Sequence, residues 1–198
     1  WLMRSLLKKV FSGQPDNVLR PLRDVINGAK NTFPLDELIT KLKGSTKAMS
    51  FDDDEISNLF YYQYGGPYTY SALAFIYPSL DFRNKFHQDH IFPKKLFTRK
   101  RLATRGIATE DIDYYLNNYN YLANIQLLEG IPNQEKSGKD FNKWIVEKYP
   151  DEGERKEYKK RHYIPNVDLS LENFREFIQE REILITTAFS KLINSNSQ

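Results

Sequence analysis

The sequence predicts a mainly α (α+β) fold: a helical bundle-like domain that encloses one short two-stranded hairpin. Apolar residues recur at helical spacing through most of the first eighty positions and again after Ser170. Gly and Pro punctuate these stripes at intervals suited to short helices. Between them, segment 84–98 is aromatic and broken by Pro93, and Tyr121 to Leu128 reads as a strand. A hydrophobic content of 40% with 14% aromatics is enough to fill a core at this length.

In chain order, Leu6, Leu7, Val10 and Phe11 form a first stripe that stops at Gly13. Asp16 is expected to cap a second helix through Val18, Leu22 and Ile26, with Gly28 just past its end. Leu35, Leu38, Ile39 and Leu42 make a third, closed by Gly44. The acidic run Asp52-Asp53-Asp54-Glu55 sits where a helix should start, so capping explains it better than a metal site. Gly65-Gly66-Pro67 breaks the chain, and Tyr70 to Tyr77 is an apolar helix stopped by Pro78. The aromatics from Phe60 to Tyr77 read as core rather than as a base-stacking platform.

Thr109 is expected to cap a helix over 110–118, Gly130 and Pro132 to turn the chain, and one helix to run from Asn133 to Tyr149. Pro150 to Arg161 reads as a charged, solvated loop. Ser170 opens a long amphipathic helix through Phe174, Phe177, Leu184 and Ile185 to Leu192. The chain therefore divides into a helical region (1–81), a central core (82–149), and a charged loop with a C-terminal helix packing back on the first region (150–198).

No cysteine is present, which excludes disulfides and thiolate-held zinc or iron–sulfur centres and fits a reducing, cytoplasmic setting. No apolar run approaches the length of a membrane span. A net charge of +3 is too small to argue for nucleic acid by itself. Opening on Trp1 rather than Met, the chain reads as a piece of a longer protein.

Three stretches carry candidate chemistry: Phe86-His87-Gln88-Asp89-His90-Ile91-Phe92-Pro93, Asn120 to Leu128, and Pro132-Asn133-Gln134-Glu135-Lys136-Ser137-Gly138-Lys139. Phosphodiester hydrolysis needs an activated water, a cation to neutralise oxygens and a scaffold to align them. Imidazole suits the base because it titrates near neutrality. A carboxylate with an amide oxygen is a hard ligand set that suits Mg²⁺ or Mn²⁺. Neighbouring strand residues face opposite ways, so Asp89 and His90 can serve one site only where the strand bends or ends, and Pro93 supplies such an ending.

Asp-His-Ile-x-Pro, an Asn within a Leu-rich strand and Asn-x-x-Lys-Ser on a helix together resemble the HNH (ββα-metal, His-Me finger) nucleases. The form is the one whose last His is Asn, as in the HNH domain of the RNA-guided CRISPR nuclease. With the flanking His162-Tyr163-Ile164-Pro165 and the helix around Phe174, Phe177 and Arg181, the chain is similar to the C-terminal nuclease region of GmrSD-like type IV restriction endonucleases. The resemblance implies a ββα-metal motif enclosed by helices. It makes His90 the general base, Asp89 and Asn133 the ligands of Mg²⁺ or Mn²⁺, and Asn124 the residue that ties the loop and helps orient His90. It further implies a DNA endonuclease acting against modified phage DNA, with a nucleotide-dependent sensing module or partner subunit outside these residues. Asn133 in place of His makes Zn²⁺ or Ni²⁺ a poorer fit.

Lys94, Lys95, Arg99, Lys100, Arg101 and Arg105 follow the histidine with no carboxylate among them, and Lys136 and Lys139 sit on the helix of Asn133. Phosphate contacts are expected of Lys94, Lys95, Arg99, Lys100, Arg101, Lys136 and Lys139. His87 reads as a surface residue, and His162 stands outside the catalytic set. Two other readings remain open: an HNH nuclease acting on RNA, and a degenerate fold that only binds DNA or a partner.

Overall fold

The computed structural model describes residues 1–77 and 79–194. Among these the chain is mainly helical with one small antiparallel sheet, as the sequence leads one to expect. The order is α1 (Leu2–Leu7), α2 (Asp16–Gly28), α3 (Leu35–Leu42), α4 (Asp53–Asn58), α5 (Thr69–Ile76), β1 (Phe86–His90), α6 (Arg99–Thr104), α7 (Thr109–Asn118), β2 (Ile125–Glu129), α8 (Gly130–Lys136), α9 (Phe141–Lys148), α10 (Glu152–Arg161) and α11 (Phe174–Asn194). No helix among the described residues is long and apolar enough to cross a membrane.

The acidic run does cap α4: Asp52 accepts from the Glu55 amide while Glu55 reaches back to the Asp52 amide. Asp16 and Thr109, by contrast, are first residues of their helices, preceded by Pro15 and Ala108, and neither cap position makes a side-chain bond. The stop expected at Pro78 lies outside the described residues. The strand expected from Tyr121 begins only at Ile125, after a 3-10 turn over Leu122–Asn124. Likewise a 3-10 turn over Leu171–Asn173 separates Ser170 from α11.

Three further expectations fail. The single helix over 133–149 is two, α8 and α9, because Ser137 takes a positive φ of 44° and Gly138 follows it. Gly130 and Pro132 are not a turn before that helix but its first residues, where a missing amide hydrogen costs nothing. The stretch 150–161 is not a solvated loop. Asp151 caps α10 through the Glu154 amide, and α10 buries Tyr158. Its other side chains are almost all polar, so no apolar stripe announced it.

Strands β1 and β2 pair with Phe86 opposite Glu129, Asp89 opposite Gln126 and His90 opposite Ile125. The Ile91 amide continues the ladder to the Asn124 carbonyl at 2.8 Å. One apolar cluster joins Phe92, Phe97, Trp144, Tyr158, Phe174 and Phe177, and a second joins Leu73, Ile76, Tyr77, Ile125, Leu127, Ile185 and Phe189 across α5, β2 and α11. The sheet lies between them, so both of its strands are anchored in packed apolar surface.

Arg181 on α11 is the polar fastener of this arrangement. It is fully buried, and its guanidinium donates to the carbonyls of Ala123 (2.7 Å), Ile125 (3.0 Å) and His162 (3.1 Å) and to the Tyr77 hydroxyl (3.2 Å). His162, placed outside the catalytic set from sequence, is a buried ring stacked on Tyr158 at 4.1 Å. Burial, with the Arg181 and Arg161 charges adding to it, pushes its pKa down to about 3, so it is neutral in the folded protein.

Candidate active site

The first and third of the three stretches line one open cleft of about 550 Å³ whose walls include Asp89, His90, Lys94, Lys95, Asn133 and Tyr64, and the second backs it through the Asn120 bond to His90. Asp89 and His90 are the last two residues of β1, and α8 packs against both strands, which brings Asn133 to them. The end of the strand at Ile91 is what lets neighbouring residues share one site.

Asp89 is 8% exposed, and its Oδ2 accepts from Gln126 Nε2 at 3.0 Å, its cross-strand neighbour. Gln126 is in turn held by the Tyr158 hydroxyl, which donates to its Oε1 at 2.7 Å. A chain of buried hydrogen bonds thus runs from α10 to the carboxylate.

Lys136 does not face phosphate, contrary to expectation. Its side chain is 0% exposed; Nζ lies 3.0 Å from Asp89 Oδ2 and donates to the His90 carbonyl at 2.6 Å. Burial lowers its pKa while the Asp89 charge acts the other way. The left-handed Ser137 ends α8 directly behind it, so the short helix ties Lys136 inward instead of carrying it along a continuous surface helix.

His90 is 9% exposed, and its Nε2 lies 3.0 Å from Asn120 Oδ1. An amide oxygen only accepts, so Nε2 carries the ring proton and Nδ1 keeps its lone pair. Tyr64 stacks on the imidazole at 4.5 Å and 24°. Its amide donates to the Asn120 carbonyl at 2.9 Å, and the preceding Gln63 bridges to Tyr121, so one wall holds both faces of the histidine's environment. Burial lowers the His90 pKa. The Asn120 hydrogen bond and Asp89 raise it, and Lys136 and Lys94 lower it further.

Asn124 is fully buried and does not line the cleft. Its Oδ1 accepts from the Phe92 amide at 2.9 Å, and its Nδ2 donates to the carbonyls of Phe92 (3.1 Å) and Tyr119 (2.7 Å). It therefore ties the segment after His90 to the segment carrying Asn120. His87, in mid-strand, does not line the cleft.

The remaining cations divide. Lys94 and Lys95 line the cleft, with the Lys95 ammonium lying over Gly138, where a Cβ would come within 2.9 Å of it. Lys100 is exposed on α6. Arg99 pairs with Asp113 at 2.5 Å, Arg101 donates to the Lys95 carbonyl, and Lys139 pairs with Glu147 at 2.7 Å.

Does a divalent cation fit? Asp89 Oδ1 accepts no hydrogen bond from a described residue, and neither does the Asn133 amide oxygen. A carboxylate and an amide oxygen on one cleft, both without protein donors, suit a hard octahedral ion. No three His, Asp or Glu side chains cluster around a common point among the described residues, so such an ion would keep most of its shell as water and phosphate. The residues fit a water-rich site and do not fit a closed structural one.

Sequence reasoning missed Tyr64, Asn120, Gln126 and Tyr158. Gln126 could have been found, as the lone polar residue in the apolar run Ile125 to Leu128. The rest meet the site only through tertiary pairing. No protein-family model and no curated protein matches the chain.

Proposed function

We propose that this chain is a divalent-metal-dependent DNA endonuclease of the HNH type, the cutting part of a restriction system directed at modified phage DNA. The observation that carries this reading is the convergence of Asp89, His90 and Asn133 on one cleft, with the imidazole held through Nε2 and its Nδ1 left as a base.

Asp89 and Asn133 are the residues to hold Mg²⁺ or Mn²⁺, and the bound ion supplies charge neutralisation at the scissile phosphate. His90 takes a proton from the attacking water at Nδ1, while Asn120 and Tyr64 hold the ring in plane. Asn124 fixes the backbone on both sides of that pair. Lys94 and Lys95 bind flanking phosphates at the rim, and Lys100 extends that surface. Lys136 aims Asp89, although its charge also weakens the carboxylate's pull on a cation until phosphate adds negative charge. Selection of modified DNA is assigned to a nucleotide-dependent module or subunit outside these residues, as the family resemblance implies.

Incubation of supercoiled plasmid with the purified chain tests this reading. Slow nicking at many sites is expected with Mg²⁺ or Mn²⁺, and none in EDTA, with the circular-dichroism melt unchanged between the two. Nicking that survives EDTA contradicts the metal assignment. Cutting of RNA but not DNA moves the substrate to RNA, and a folded chain that binds DNA yet cuts nothing leaves only a binding module.

A further inference from the structure

Behind the wall that holds His90 lies a second cleft of about 650 Å³, formed by the turn after α4 together with α7 and α11. Tyr61, Tyr114 and Tyr121 supply aromatic surface to it. The Tyr61 ring is 68% exposed and meets Tyr121 edge-on at 5.9 Å.

Among hydroxyls and amides that can donate or accept, the cleft holds one carboxylate, Glu182. Glu182 is half-buried and makes no hydrogen bond or ion pair with a described residue, and burial raises its pKa. A carboxylate withdrawn from water without a donor is costly, which marks the spot for a ligand that brings one. Asn118 spends its Nδ2 on the Tyr114 carbonyl at 2.7 Å and presents Oδ1 as a second acceptor.

The same short segment serves both clefts. Asn118 and Tyr121 line the second, while Asn120 between them bonds His90 in the first. Flat π surfaces beside acceptors call for a planar ligand carrying N–H donors, and a DNA strand running past this wall has such ligands in its bases. Carboxylates pair with the amino group of cytosine, and amides with adenine.

We infer that the second cleft receives an unstacked, amino-bearing base of the strand cut at the neighbouring site. The base stacks on the exposed Tyr61 ring, with Tyr121 set at right angles beside it, and gives its exocyclic amino hydrogens to Glu182 and Asn118. This assignment rests on the DNA-cleavage reading and names the part of the substrate held beside the cut.

Anisotropy titration of the whole chain in EDTA at pH 7.5 with labelled 12-mers of dC, dA and dT tests it. The dC and dA strands are expected to bind about ten-fold more tightly than dT, on the order of one good amino contact. Glu182→Ala, which loses no protein partner, should bring the three within two-fold of one another. Tyr61→Ala, at an exposed position, should weaken all three by about 5- to 150-fold, because stacking is indifferent to base identity. Deoxycytidine monophosphate should displace the dC strand, and tetramethylammonium should not.

Equal binding of the three strands, or no change in either variant, overturns the assignment. Displacement by tetramethylammonium alone also overturns it and gives the cleft to a cationic side chain. Because the titration reads binding without cleavage, a lost preference with intact nicking sinks only the base cleft. A retained preference without nicking sinks only the nuclease reading.

Discussion

Replacing His90 by Ala is expected to lower the rate of metal-dependent nicking by about 10²- to 10⁴-fold, the usual contribution of a general base. No second histidine can stand in: His87 does not line the cleft, and His162 is buried against Tyr158. Lys136 is committed to Asp89 and to the backbone of His90 itself. The fold should persist, since the ring contributes one hydrogen bond, to Asn120, and a stack with Tyr64.

The acid limb follows from the same residue. The base works only when neutral, so activity falls as pH drops through the His90 pKa. Burial is the largest influence on that pKa and lowers it, so the midpoint should lie below that of an ordinary histidine. A rate–pH profile of the wild type beside a single-turnover measurement of His90→Ala checks both statements. A folded His90→Ala chain cutting within a few-fold of wild type would refute the assignment.

Replacing Arg181 by Met is expected to destabilise the fold by about 3 kcal/mol or more. The substitution removes the cost of burying a charge, but it strips the donor from the carbonyls of Ala123, Ile125 and His162 at once. Each buried acceptor left without a partner costs about 1–3 kcal/mol, so the orphaned carbonyls outweigh the relief of desolvation. Against a domain stability of about 5–15 kcal/mol the loss should be plain in urea unfolding followed by fluorescence of the buried Trp144. A midpoint unchanged within error would show that Arg181 fastens nothing. Nicking should decline with stability, because Ile125 begins the strand that places Gln126 behind Asp89.

Local signals were legible wherever the chemistry was local. Periodic stripes placed α2, α3, α5 and the body of α11, and the acidic run marked the start of α4. At the site, Asp89, His90 and Asn133 could be chosen because their types and order carry the pattern, and the end of β1 near Pro93 made their sharing of one cleft geometrically sensible. Long-range pairing was hidden. Lys136 and Lys139 are equivalent as cations on a line of sequence, yet one is sealed against Asp89 and the other pairs with Glu147 at the surface. The difference comes from the left-handed turn at Ser137 and from the packing of α8 on the sheet. Tyr64 reached the site from a stretch that read as core, because its loop pairs with Asn120 and Tyr121, more than fifty positions away in sequence. Helix α10 escaped notice because a single apolar contact, Tyr158, anchors it.

Anomalous diffraction from crystals of the chain soaked in Mn²⁺ with a short duplex tests the central claim most directly. One Mn²⁺ peak is expected between Asp89 Oδ1 and Asn133 Oδ1, at about 2.1 Å from each as in oxygen-ligated octahedral sites, with the His90 ring beside it. A peak held by other residues, or none in this cleft while the same protein cuts DNA in Mn²⁺, would contradict it.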